Sequence, residues 1–354
     1  MDEQQRRMPK SLYGLKPNEI LGALGLEKTY QGKQVYKWLV RAVDGFDEMT
    51  DLPKYLREEL SALMPSLGST RIIDEQVDET GATKLALELH DGAVIECVLL
   101  TDREDRKTAC LSSQVGCAMG CTFCRTGTMG LVRNLLAHEI IEQFVHLRKI
   151  APDTTHIVFM GMGEPLANFS EVMQAIRYLH DPEGFDIGLR KITISTCGLI
   201  PGILKLAEMN IPVKLAVSLV TADNYQRTGI MPVNRAYPLD DLKSALLHYQ
   251  HAIGKRFTLE YVMLRNENTS ILSAQKLANF IRGMDVIVNL IPWNPAAELR
   301  WETPSAKEIA VFTKELDLLG VPYTRRYSRG RGINGACGQL AVPRNTQDEE
   351  GDYR

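Results

Sequence analysis

The chain has 354 residues, 44% of them hydrophobic and 24% charged, with a formal net charge of −3 and an isoelectric point near 6.2. These values exclude a low-complexity polymer and a protein that coats nucleic acid non-specifically, so an RNA ligand would need a local basic patch. No apolar run of about 18 residues occurs, and the opening stretch MDEQQRRMPKSLYG lacks the apolar centre of a signal peptide. Both features predict a cytoplasmic protein with no membrane partner. In that reducing compartment the seven cysteines, an odd number, point away from a disulfide framework and toward metal binding or thiol chemistry.

Residues 1–66 read as a small helical module. Ile20, Leu21 and Leu24 fit one helical face, Val35, Trp38 and Leu39 a second, and Tyr55, Leu56 and Leu60 a third. Pro17, Gly32 and Pro53 sit where those helices should start. Residues 67–105 form a β linker, in which TKLALEL and AVIECVLL alternate with period two around the turn Asp91-Gly92. For Glu96, inside the second run, solvent exposure is the default expectation.

From 106 to 342, strand-like runs alternate with helical patterns: TACLSS, THIVFM, KITIS, VKLAVS, FTLEYVML and VIVNLI, with helices near 136–149, 169–180, 199–208, 239–252, 270–282 and 304–319. In the first helix Ile140, Ile141, Phe144 and Leu147 make an apolar stripe opposite Glu139, Glu142 and His146. Repeated βα units predict an α/β fold with a parallel sheet covered by helices. About six units are too few for a closed eightfold barrel, so a partial (β/α)6 TIM-like barrel and a doubly wound sheet both fit. Gly163 with Glu164, Ser195, Ser218 and Asn294 each follow a strand, which favours the barrel, where sites gather at the C-terminal strand ends. Residues 343–354 read as a disordered tail. The one basic cluster, RRYSRGRG, brings together Arg325, Arg326, Arg329 and Arg331, and a solvated loop and an RNA-binding patch account for it equally well.

Cys117, Cys121 and Cys124 are spaced C-x3-C-x2-C. A structural zinc site needs four ligands, and no second C-x2-C pair is present. Three thiolates suit a 4Fe-4S cluster that keeps one iron for a non-protein ligand, and Gly116, Gly120 and Gly127 would let the chain wrap it closely. The spacing resembles that of the radical S-adenosylmethionine (SAM) superfamily. Together with GMGEPLAN, ISTCGLIP, IPWNP and ACGQL, in order along residues 10–342, the stretch SSQVGCAMGCTFCRTGTMG resembles the RlmN/Cfr family of RNA adenosine methyltransferases, on its RlmN-like branch.

That resemblance implies roles. Cys117, Cys121 and Cys124 would bind the cluster, whose open iron chelates SAM. Gly163, Glu164, Ser195, Ser218, Leu219, Val220 and Asn294 would contact SAM, used twice per turnover. Cys337 would take a methyl from one SAM. A 5′-deoxyadenosyl radical from a second SAM would convert it to a methylene radical that adds to adenine. Cys110 would release the product as a transient disulfide with Cys337, and Glu96 would accept the ring proton. The implied substrate is the C2 position of an adenosine in 23S rRNA at the peptidyl transferase centre, and of one beside the anticodon in tRNA. The implied partners also include an electron donor such as flavodoxin or ferredoxin, with the enzyme a monomer. C8 methylation is the alternative within the family, and a non-catalytic iron–sulfur or zinc RNA-binding protein the alternative outside it. Cys97 and Cys197 match no role and read as small buried hydrophobes.

Two departures stand out. Val220 occupies the position where the family usually has histidine, and Gly330-Arg331-Gly332 replaces an acidic stretch before Cys337. Both bear on the choice of RNA rather than on the type of reaction.

Overall fold

The computed structural model describes residues 9–341 apart from 103, 297, 327 and 328; the expected tail at 343–354 lies outside the described residues. Three helices come first, α1 (Pro17–Ala23), α2 (Thr29–Val40) and α3 (Lys54–Leu63). Pro17 opens α1 as the sequence suggests, but α2 starts at Thr29 and Gly32 lies inside it. The glycine serves packing: a Cβ there would sit 2.2 Å from the Pro17 carbonyl oxygen, so it lets α1 and α2 touch. Ile20, Leu24, Val35, Leu39, Leu56 and Leu60 are buried, whereas Tyr55 is 68% exposed on the outer face of α3.

Next come β1 (Arg71–Val77), β2 (Thr83–Glu88), β3 (Val94–Thr101) and β4 (Lys107–Cys110), each antiparallel to the next. The β2–β3 hairpin is the one predicted around Asp91-Gly92. β1 is an exposed edge strand whose sequence, RIIDEQV, has no alternation to reveal it. The chain then forms a separate two-stranded sheet from β5 (Gln114–Cys117) and β6 (Gly130–Asn134), with α4 (Arg125–Thr128) between them. Cys117 is therefore the last residue of a strand, rather than part of a loop leaving β4.

The remaining units are α5 (Ala137–Ile150), β7 (His156–Phe159), α6 (Phe169–His180), β8 (Ile192–Thr196), α7 (Ile200–Met209), β9 (Lys214–Ser218), α8 (Asn224–Ile230), α9 (Leu239–Ile253), β10 (Phe257–Met263), α10 (Ile271–Ile281), β11 (Val286–Pro292), α11 (Ala306–Leu318) and β12 (Tyr323–Arg325). The order in the main sheet is β1-β2-β3-β4-β7-β8-β9-β10-β11-β12, parallel from β4 onward. The parallel strands follow chain order without the reversal a doubly wound sheet requires, so the architecture is the open barrel. The short strand β12 extends the six expected strands at the open edge.

Two features of the helices depart from the sequence pattern. The polar side of α5 is not solvated: Glu139 and Glu142 are as buried as Ile140. Glu142 accepts hydrogen bonds from the backbone N–H groups of Ser69 (2.9 Å) and Thr70 (2.7 Å), fastening the chain that follows the helical module, and Glu139 pairs with Arg133 at 2.8 Å. Helix α8 lacks an apolar stripe and is set by its N-cap, Asp223, which accepts from Gln226 N–H at 2.8 Å. Among the described residues no helix is long and apolar enough to cross a membrane.

Candidate active site

A cavity with about 950 Å³ of open space lies at the C-terminal ends of the parallel strands. Cys117, Cys121 and Cys124 line it, together with Gly163, Glu164, Ser195, Ser218, Asn294 and Cys337. The barrel rim thus joins the residues that the sequence scatters along the chain. Gly163 has φ +97°, and a Cβ would meet the Gln114 side chain at 2.6 Å; only glycine lets this loop cross behind β5. Next to it the buried Glu164 carboxylate accepts from Leu166 N–H (3.0 Å) and Cys197 N–H (2.8 Å), which aims it at the cavity. Burial raises its pKa, and the hydrogen bonds from Cys197 and Leu166 oppose that rise. Cys97 and Cys197 are both buried as expected, Cys197 at the cavity wall.

The cysteine loop is held by its carbonyls. Trp293 Nε1 donates to Phe123 O and Trp301 Nε1 to Thr122 O, each at 2.9 Å, while Thr122 N–H donates to Ile230 O at 3.0 Å. Burial pushes up the pKa values of all three thiols, Cys117 to about 11. Among the described residues no three Cys, His, Asp or Glu side chains converge on a point that would hold one metal ion. A cluster takes one thiolate on each of three irons, and three cysteines on one stretch of the cavity wall supply that donor set.

Leu219 and Val220, expected to touch SAM, are fully buried and do not line the cavity. Val220 has φ +62°, an unusual conformation for a β-branched residue, and its carbonyl accepts from Asn268 Nδ2 at 2.7 Å. The carbonyls before it are taken by Arg227, a wholly buried side chain that sequence reasoning missed. Its guanidinium donates to Leu219 O (3.2 Å), Ser218 O (3.2 Å) and Cys197 O (2.8 Å), tying two strand ends together. Burial lowers its pKa to about 10, which still leaves it charged at neutral pH. Asn294 reaches the rim, but its amide is engaged with the protein: Nδ2 donates to Cys337 O at 3.0 Å and Oδ1 accepts from Arg331 Nε at 2.8 Å. Glu260, also unforeseen, lines the cavity with Oε1 bonded to Asn289 Nδ2 (3.0 Å), and Oε2 is buried without a partner among the described residues.

The segment carrying Cys337 is stitched across the open edge of the barrel. Gly338 O accepts from Arg125 N–H (2.8 Å), Leu340 O from Thr126 Oγ1 (2.6 Å), and Gln339 Nε2 donates to Pro295 O (2.7 Å). Cys337 consequently lines both the first cavity and a second of about 1030 Å³, whose wall includes Cys110, Arg326, Arg329 and Arg106. The basic cluster divides accordingly: Arg326 and Arg329 face the cavities, whereas Arg325 and Arg331 are exposed. Burial pushes the Cys110 thiol up to about 12, Cys337 pushes the same way, and Arg326 opposes them.

Glu96 is not exposed. It is 2% accessible and lies outside both cavities, with Oε1 2.9 Å from Lys84 Nζ and Oε2 accepting from Ala341 N–H at 2.9 Å. Strand register explains its setting: Lys84 pairs with Val98 and Val98 with Cys110, so these three share a sheet face, and Glu96 stands two residues along the same face.

The chain matches two family models, the radical SAM superfamily over residues 111–275 and the ribosomal RNA large subunit methyltransferase N-terminal domain over 19–65. A protein of Treponema pallidum (strain Nichols) named a probable dual-specificity RNA methyltransferase RlmN is 44% identical over 330 residues, covering 93% of this chain and 97% of that protein. One of the same name from Moorella thermoacetica is 43% identical, with 93% and 96% covered. The crystal structure of a radical SAM methyltransferase from Sphaerobacter thermophilus superposes with a TM-score of 0.89 at 41% identity, covering 94% of this chain and 99% of that one. Three cysteines on the rim of an open barrel, the matching helical module in front of it and relatives alike over nearly their whole length lead to one assignment: the chain belongs to the RlmN family of radical SAM RNA methyltransferases.

Proposed function

We propose that the protein methylates C2 of an adenosine in 23S rRNA at the peptidyl transferase centre, and of an adenosine next to the anticodon in tRNA, with Cys337 as the methyl carrier. The observation that carries this reading is the position of Cys337, on the wall of the cysteine-lined cavity and on the wall of the cavity that holds Cys110. One thiol there meets a methyl donor on one side and a second thiol on the other. The dual specificity in the relatives' names supports the two RNA classes, and GMGEP with PWNP favours C2 over C8.

Cys117, Cys121 and Cys124 would hold a 4Fe-4S cluster, and Gly163, Glu164, Ser195 and Ser218 would hold SAM against it. When bound, the pair supplies the methyl and the radical chemistry that a non-nucleophilic ring carbon requires, with electrons from a donor such as flavodoxin or ferredoxin. Glu164 accepts from the amino group of SAM, and the free oxygen of Glu260 takes a further donor of the ligand. Cys337 Sγ carries the one-carbon unit to the ring. The odd-electron ring adduct gives up one electron, which would return to the bound cluster; Cys110 Sγ then bonds to Cys337 Sγ as the bond from Cys337 to the carbon breaks, that carbon keeps the electron pair and gains a proton to become the methyl, and the C2 proton passes to Glu96. Arg326 and Arg329 would steady the flipped nucleotide's phosphates. Mass spectrometry of rRNA and tRNA fragments from a strain lacking its own enzyme, with and without this protein, tests the reading. Methyl on C2 supports it, methyl on C8 selects the other branch, and no methyl with tight zinc and no SAM cleavage selects a binding protein.

A further inference from the structure

Lys84 is a buried charged residue that neither the motifs nor the reaction steps above account for. It is 7% exposed, and its ammonium sits 2.9 Å from Glu96 Oε1 inside a wall of apolar strand residues. A buried lysine and carboxylate are retained at a desolvation cost that their attraction barely offsets, so such a pair is a weak source of stability and invites a functional explanation. The register places the pair on the same sheet face as Cys110. The groups around the Glu96 carboxylate are Lys84 from β2, Ala341 N–H from the segment of Cys337, Arg125 from α4 and Cys97 beside it on β3.

We propose that Lys84 is the positioning residue of the release step: it orients Glu96 and opposes the drive of burial toward the neutral acid, so that the carboxylate can take the adenine ring proton when Ala341 moves aside. The proposal rests on the reading of Glu96 as the proton acceptor. Burial alone drives a carboxylic acid toward its neutral form, which accepts no proton. Lys84 opposes that drive through a direct hydrogen bond, and its fixed position in the sheet keeps Oε1 occupied. Oε2, held only by a backbone N–H, remains for the substrate. Once Glu96 is protonated, the lysine faces a neutral partner, which favours return of the proton to water and resets the site.

The test uses the full chain, reconstituted anaerobically with iron and sulfide, and a 23S rRNA fragment containing the target adenosine. SAM cleavage, the RNA-linked protein band and its decay are followed for wild type, Lys84→Met, Lys84→Arg and Glu96→Gln. Lys84→Met should release the adduct about 100-fold more slowly, the range of a lost general base, with SAM cleavage within about twofold of wild type. Its release should recover as pH rises, because the unpaired Glu96 needs higher pH to ionise. Lys84→Arg should restore most of the rate. Release from Lys84→Met at the wild-type rate and pH profile would overturn the proposal, as would a parallel loss of SAM cleavage, which marks a purely structural role. If Glu96→Gln accumulates no adduct, the fault lies with Glu96 as acceptor rather than with Lys84.

Discussion

The two ends of the active site are built in opposite ways. Cys117, Cys121 and Cys124 fall within eight consecutive residues, and their geometry follows from one strand, one loop and one short helix clamped by Trp293 and Trp301. Cys110 and Cys337 come from a strand and a terminal segment more than two hundred residues apart, and they line one cavity only because the barrel is open and the segment is sewn over its edge, while Glu96 lies outside that cavity and is tied to the segment through Ala341 N–H. A local site is fixed by spacing; an assembled one is fixed by everything that closes the fold. Under the proposed function the chemistry would divide along the same line, with radical generation at the local end and methyl carriage and release at the assembled end.

The largest expected effect separates the two ends outright. Cys121→Ala should abolish iron–sulfide incorporation and SAM cleavage, while leaving Cys110 and Cys337 able to form a disulfide under oxidant; iron analysis and non-reducing peptide mapping check both. Cys110→Ala should do the converse. SAM cleavage persists, RNA-linked protein accumulates and multiple turnover falls by about 100-fold or more, as expected when a resolving nucleophile is lost. If Cys110→Ala turned over normally, the assembled end would need another thiol.

Much of the local end was readable in advance. C-x3-C-x2-C, the rim positions of Gly163, Glu164, Ser195 and Ser218, and the helix positions of α5 to α11 apart from α8 all follow from spacing and periodicity. The assembled end was not readable this way. Period two cannot tell a strand with one wet face from one buried on both, which is why Glu96 was expected in solvent and its partner Lys84 went unnoticed. The same limit hid Arg227: its partners are backbone carbonyls, which leave no mark in the sequence. Leu219 and Val220 were assigned to SAM by the resemblance; the chain turns inward at Val220 and buries both side chains.

Arg227 sharpens the comparison, since it supports the rim from within the core. Arg227→Met should destabilise the fold by about 3 kcal/mol, from carbonyls left unpaired, as measured by urea unfolding. Lower iron retention should accompany it, because Ser218 and Cys197 lose their tie.

The smallest effect lies where the helical module meets the barrel. Burial lowers the His146 pKa from 6.5 to about 4. As pH falls from 6.5 the unfolded chain takes the proton before the folded one does, so stability present above 6.5 is lost down to about 4. The loss is about 2 kcal/mol after allowance for the residual exposure of the ring. His146→Gln should flatten the stability curve across that window and leave it unchanged above pH 7.

The central claim is that the carbon reaches RNA through Cys337. It is tested most directly with SAM bearing a fully deuterated methyl group, followed by mass spectrometry of the modified adenosine. Passage through Cys337 predicts a product methyl with one deuteron fewer than the donor, and no product from Cys337→Ala. A product that keeps every deuteron, or one formed by Cys337→Ala, would contradict it.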